Sequence, residues 1–138
     1  MPKAQPRTQV VLRLRFAQLE PLLGPGKIEL MEHIARDGSI SAAGRSMRMS
    51  YHRAWTIVSE LNAMFREPLI ETQLGGVKGG GARITPLGRD VVRRYRSIET
   101  SVWKHAATHI AALEAIVEAP VGSRLARRAT SRNRKAVR

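Results

Sequence analysis

The stretch Ser39-Ile40-Ser41-Ala42-Ala43-Gly44-Arg45-Ser46-Met47-Arg48-Met49-Ser50-Tyr51-His52-Arg53-Ala54-Trp55-Thr56-Ile57-Val58-Ser59-Glu60-Leu61 decides the fold. Ser39 and Ser41 are each able to cap a short helix over residues 42–47, because a serine hydroxyl accepts from the free N–H groups of a first helical turn. Arg48 and Met49 make a tight turn. Ser50 caps a third helix, residues 51–65, whose inner stripe is Ala54, Ile57, Val58, Leu61 and Phe65. Two helices joined this tightly cross closely, so small residues must lie where they touch; Ala43 and Gly44 supply them. Tyr51, His52, Trp55, Thr56 and Ser59 fall off the inner stripe. They lie where the second helix of a helix-turn-helix presents its face to a major groove. Ser50, Tyr51 and His52 also sit at the positive end of that helix dipole, a place suited to phosphate.

Working outward, residues 25–37 read as a preceding helix. Pro25 lies near its start and Gly38 just past its end, the usual asymmetry of helix termini. Its apolar positions are Ile28, Met31, Ile34 and Ala35. Upstream, residues 8–16 alternate, with Val10, Leu12, Leu14 and Phe16 on one side and Arg13 and Arg15 on the other, which predicts a half-buried strand. Downstream, Pro68 stops the third helix and residues 69–74 read as a short strand. Gly75-Gly76-Val77-Lys78-Gly79-Gly80-Gly81 follows as a loop, and residues 82–84 return as a second strand, making a hairpin. Thr85 caps a long final helix with Pro86 at its first position. Val91, Tyr95, Ile98, Val102, Ala106, Ile110, Leu113 and Val117 recur along it at helical spacing until Pro120. So long a seam exceeds what a small domain can cover, and part of it is expected to meet another chain.

The order is strand, helix, helix, tight turn, helix, hairpin, long helix. The expected fold class is mainly α with a small β component: a winged helix-turn-helix with a long C-terminal dimerisation helix. The expected organisation is a disordered lead over 1–7, the winged domain over 8–85, the dimerisation helix over 86–119 and a basic disordered tail over 120–138.

The 138 residues carry 24 Lys+Arg against 11 Asp+Glu, a net charge of +13 that attracts polyanions. Seven basic residues and no acid lie in 123–138, and removing those seven leaves +6 on residues 1–122. The absence of cysteine excludes disulfides, thiolate metal sites and cysteine nucleophiles. No apolar run approaches the ~20 residues of a membrane span, and the first fifteen residues lack the apolar core of a signal peptide. A cytoplasmic location with no membrane partner is expected. The glycine loop lacks the order of a nucleoside-triphosphate loop, since Lys78 precedes its last glycines. His105 and His109 have a spacing able to hold a metal, but only His33 or Glu114 offers a third ligand, and helical surface or seam is the expected role. No nucleophile, base and orienting group stand together. No catalytic residue, metal or cofactor is expected, and the chain is not read as an enzyme.

Several motifs carry a more specific resemblance: Ser39-Ile40-Ser41-Ala42-Ala43, Ser50-Tyr51, Ala54-Trp55, Leu61-Asn62-Ala63-Met64, Gly75-Gly76, Gly79-Gly80-Gly81-Ala82, then Thr85 and Gly88. Over residues 8–99 the chain resembles the N-terminal domain of the molybdate-responsive transcriptional regulators, the ModE family, which is related to the DNA-binding domain of LysR-type regulators. The resemblance implies a homodimer on a palindromic operator of molybdenum-related promoters. Three departures stand out. Full-length members carry C-terminal molybdate-binding domains, where a short basic tail follows here, so the usual effector site is not expected. Arg48 occupies a turn position where glycine is usual, and a left-handed backbone there strains any other residue. His52 stands where lysine is common.

The expected partner is double-stranded DNA, bound through Ser50, Tyr51, His52, Arg53, Trp55, Thr56, Arg48, Lys78 and Arg83. Arg48, Lys78, Arg83 and the tail serve phosphates; Tyr51, His52, Thr56 and Arg53 serve selectivity. Trp55 has packing against its neighbours as its competing role. Two alternatives remain open: charge-driven, non-specific nucleic-acid binding, and an interaction module holding an oxyanion effector.

Overall fold

A computed structural model describes residues 8–73 and 80–117. The elements are α1 (Pro25–Asp37), α2 (Ile40–Ser46), α3 (Tyr51–Met64), β1 (Ile70–Gln73), β2 (Gly81–Ile84) and α4 (Pro86–Ile116). The chain divides into a body, Gln9–Lys104, and a second unit that includes Thr8 and residues 105–117 among those described.

α2, α3 and α4 each begin where the sequence supplies a hydroxyl for free N–H groups, whereas α1 starts at Gly24 with no side-chain cap and Pro25 in its first turn. The Ser39 hydroxyl accepts from the Ala42 amide at 2.9 Å, and the Ser50 hydroxyl accepts from the Arg53 amide at 3.0 Å. Thr85 works in both directions: its hydroxyl accepts from the Gly88 amide at 3.0 Å and donates to the Pro68 carbonyl at 2.8 Å. Each serine cap is worth about 1 kcal/mol against alanine. At the far end of α1, Gly38 adopts φ 73, the left-handed conformation that closes a helix. Its carbonyl then accepts from the Ala82 amide at 2.9 Å, tying β2 to the end of α1.

The core of the body is aliphatic. It draws Ile28, Leu30, Met31 and Ile34 from α1, Ile40 and Ala43 from α2, and Ala54, Ile57, Val58 and Leu61 from α3. Leu23, Leu69, Ile70, Ala82, Ile84 and Tyr95 complete it. Each fully buried aliphatic side chain contributes roughly 1.5–3 kcal/mol. In α1 the buried stripe includes Leu30, whereas Ala35 is exposed, so the stripe is rotated from the one expected. Gly44 lies where α2 meets α3: a Cβ there would stand 3.2 Å from the Ala54 methyl. Gly88 admits no side chain at all, since a Cβ would lie 2.4 Å from the Leu69 carbonyl oxygen.

β1 and β2 form a two-stranded antiparallel hairpin in the register Ile70↔Ile84, Glu71↔Arg83, Thr72↔Ala82 and Gln73↔Gly81. Ile70, Ala82 and Ile84 turn inward, while Glu71 and Arg83 face out. The strand expected over residues 8–16 does not form. The alternation survives in burial, with Val10, Leu12 and Leu14 half-buried and Val11, Arg13 and Arg15 exposed. Among the described residues no neighbouring strand offers a ladder, and the segment makes an antiparallel bridge, Leu14 to Leu23. The buried Tyr95 anchors it further by donating its hydroxyl to the Leu12 carbonyl at 2.6 Å. Burial pushes the Tyr95 phenol above its ordinary value. Phe16 leaves the expected inner side, remains 39% exposed, and meets Phe65 edge-on at 5.9 Å.

Arg96 of α4 pairs with Glu32 of α1 and with Glu99 at 2.7 Å. These carboxylates, Glu32 first, hold the guanidinium more firmly charged than usual. In the second unit Ala106 and Ile110 are half-buried, and Leu113, Ile116 and Val117 are exposed.

Candidate nucleic-acid interface

The turn between α2 and α3 is a Schellman closure. The Met49 amide donates to the Gly44 carbonyl at 3.0 Å and the Arg48 amide to the Arg45 carbonyl at 3.0 Å. That pattern requires a left-handed residue between them, and Arg48 takes it with φ 55. The Arg48 side chain is exposed at the entrance to α3.

Beyond the turn, α3 offers a polar outer side. Tyr51 is 61% exposed, and His52, Arg53 and Ser59 are exposed with it. Ser50 spends its acceptor capacity partly on the Arg53 amide, the capping bond that starts the helix. Thr56 is half-buried and donates its hydroxyl to the His52 carbonyl at 2.9 Å, one turn back. With that proton committed, its oxygen is left as an acceptor. Trp55 lies half-buried against the core, edge-on to Tyr51 at 6.0 Å. Its Nε1 is buried with no hydrogen-bond partner among the described residues. That placement favours packing over contact for most of the ring.

From Ser39 to Ser59 the chain has Arg45, Arg48, Arg53 and His52 and no Asp or Glu. Arg45, exposed on α2, belongs to this cationic stretch although the sequence reading passed over it. Its signal was available, because an exposed arginine at the end of α2 stands one turn from the tight turn. Asp37, before α2, is engaged by Arg36 and by the Ser46 hydroxyl at 3.1 Å, and Glu60, after Ser59, pairs with Lys27 at 3.4 Å. The Arg36 hydrogen bond above all keeps the Asp37 carboxyl below its usual range.

On the hairpin, Arg83 extends from the outer face and is 66% exposed. Both its Nε and Nη2 donate to Glu71 Oε2, at 3.0 and 2.8 Å. The sequence reading missed this partner, since register across a long glycine loop is not fixed by local spacing. Lys78 and most of the glycine loop lie outside the described residues.

Comparison with known proteins places this geometry in context. A molybdenum-pterin-binding protein, MopA, of Rhodobacter capsulatus is 38% identical over 100 residues, covering 72% of this chain and 36% of the relative. The DNA-binding transcriptional dual regulator ModE of Escherichia coli strain K12 is 34% identical over 89 residues, 64% of this chain and 34% of that protein. The molybdenum transport protein ModE of Azotobacter vinelandii is 39% identical over 77 residues, 56% and 28% respectively. The chain is a homologue of the ModE and Mop proteins. It spans about a third of the length of these curated relatives. No family model matches the chain.

The four helices and hairpin are consistent with a ModE-like N-terminal DNA-binding domain. Within that ModE-like frame the outer side of α3 and the α2–α3 turn bring together Arg48, Ser50, Tyr51, His52, Arg53 and Thr56. Arg83 stands apart from them on the hairpin stem. His105 and His109 are exposed on α4, and the described residues hold no group of three His, Asp or Glu able to bind a metal. No helix among the described residues is long and apolar enough to cross a membrane.

Proposed function

We propose that the chain is a sequence-specific DNA-binding module of a transcriptional regulator, acting as a homodimer in molybdenum-related gene control. One observation carries this reading: an N-capped helix with an exposed polar side, Tyr51, His52 and Arg53, set in a stretch with no acid from Ser39 to Ser59. A duplex phosphate or base edge meets there only cations and uncharged polar groups, and a helix of this diameter fits the major groove. The relative named a DNA-binding transcriptional dual regulator supports the same function.

In this reading Tyr51, His52, Arg53 and Thr56 address bases. Ser50, Arg48 and Lys78 address the backbone, as does Arg83 where Glu71 does not hold it, and Trp55 supports Tyr51 from behind. Phosphate contacts set the register and the salt dependence, while base contacts set sequence preference. Pairing of two copies is supported by the apolar side chains that α4 leaves exposed, Ile98 in the body and Leu113 and Ile116 in the second unit. Two recognition helices then address a two-fold symmetric operator.

Selection of random duplex DNA by the protein at ~150 mM salt with excess competitor tests the reading, because specific complexes survive those conditions. A two-fold symmetric motif is expected, and His52→Ala is expected to change preference within it. Failure to enrich any motif, with binding that vanishes as salt rises, sinks the reading in favour of charge-driven binding. An oxyanion effector rests on the resemblance to molybdate-responsive regulators and on the molybdenum in the relatives' names. Thermal stabilisation by molybdate and not by sulfate is its test.

A further inference from the structure

Among the cations proposed for DNA, Arg83 is already occupied. Glu71 and Arg83 are direct partners across the hairpin, both outward, at 48% and 66% side-chain exposure. The guanidinium spends Nε and one Nη on a single carboxylate oxygen. That is the same fork it would offer to a phosphate.

We infer that Glu71 is an electrostatic brake on the hairpin: its carboxylate holds Arg83 away from the DNA backbone. The inference rests on the DNA-binding reading above. The physics is an exchange. To take a phosphate through that fork, Arg83 must release Glu71, so one charge-assisted pair replaces another and little is gained; a contact through the remaining Nη1 leaves the carboxylate beside the phosphate. The released carboxylate then lies near the phosphate, well within the ~8 Å screening length of physiological salt, and repels it. The hairpin therefore adds little backbone affinity while Glu71 is charged. In a chain of net charge +13 such a brake restrains binding to arbitrary sequence. Glu71 is in this sense a positioning residue, acting on DNA through Arg83.

An exposed ion pair adds little to stability, so its removal leaves the fold intact. The experiment uses the full chain and a labelled duplex of arbitrary sequence, titrated between ~50 and ~200 mM salt, where counterion release is read as a slope. Wild type, Glu71→Gln, Arg83→Gln and the double variant are compared, with Glu71→Ala as a second form of the first change. Removing the acid is expected to tighten binding about 3–10-fold at low salt and to steepen the log–log salt slope by ~0.9, the value for one added phosphate contact. Arg83→Gln alone is expected to bind no better than wild type, since it leaves the Glu71 carboxylate without its cation, and the double variant to lose the gain.

A gain that persists in the double variant overturns the inference, because Glu71 then acts by repulsion alone. An unchanged slope, or weaker binding by Glu71→Gln, overturns it too; the latter means that Glu71 props Arg83 toward DNA. Binding by wild type with an unmoved Glu71→Gln leaves the DNA-binding reading standing and removes only the brake. Binding by none of the four removes both.

Discussion

Arg48 holds φ 55 in a turn whose two amide–carbonyl bonds require that conformation. A residue with a Cβ pays roughly 1–2 kcal/mol there. Glycine relieves the strain but loses about 0.5–1 kcal/mol more backbone freedom on folding. Strain relief wins by a small margin, so Arg48→Gly is expected to raise the thermal midpoint by a few degrees, on the scale of ~4–8 °C per kcal/mol for a domain of this size. The same change is expected to weaken binding to duplex DNA, because an exposed cation at the entrance to α3 is lost. A midpoint below that of wild type shows that the arginine is not strained. The turn over Arg48 and Met49 was legible from sequence; a left-handed Arg48 was suggested only by the resemblance to relatives with glycine there, and the structure decided it. Ser39, Ser50 and Thr85 were legible as caps, because each rule involves groups within three or four residues of one another.

At the scale of elements, one side chain ties the start of the hairpin to α3. The Asn62 amide of α3 accepts from the Leu69 and Ile70 amides at 2.9 and 3.1 Å and donates to the Ile70 carbonyl at 3.0 Å. It thereby fixes the angle at which the chain leaves α3 for β1. Asn62→Ala leaves three partly buried backbone groups without their partner, at a cost of about 2–4 kcal/mol. Urea unfolding is expected to show that loss as a lower midpoint with little change in slope. A loss below ~0.5 kcal/mol, the range of an ordinary surface change, shows that the hairpin is held without Asn62, by its apolar side and the Gly38 and Thr85 bonds. Helix positions and the existence of the hairpin were readable from periodicity, capping and glycine. The failed strand over residues 8–16 marks the limit of that method. Alternation records which side of an extended chain is covered, and Leu12 and Leu14 are indeed half-buried. A strand also needs a neighbour, and alternation does not say whether one exists.

For the molecule as a whole, charge governs both stability and partners. Asp90 is held below the usual carboxylate range, chiefly by its hydrogen bond from Arg94, and Asp37 by that from Arg36. A depressed carboxyl stabilises the folded state above its unfolded value of ~3.9 and gives that stability up as pH falls through the folded value. Both groups lie at the surface, so each contribution is modest. Stability is expected to decline below about pH 4, and Asp90→Asn to show a shallower decline in urea melts compared at neutral and acid pH. Equal acid losses in the two proteins show that Asp90 plays no part.

The sequence by itself determined the helical pattern, the caps, the tight turn, the hairpin and the cationic character of the motif. These are properties of near neighbours or of simple sums. Tertiary structure alone decided that Trp55 leans on the core, that Arg83 is held by Glu71, that Tyr95 pins the N-terminal segment at Leu12, and that Arg96 joins α4 to Glu32. Each is a contact between residues distant in sequence or an orientation set by packing. Local spacing carries no information about which distant groups the fold brings within bonding distance.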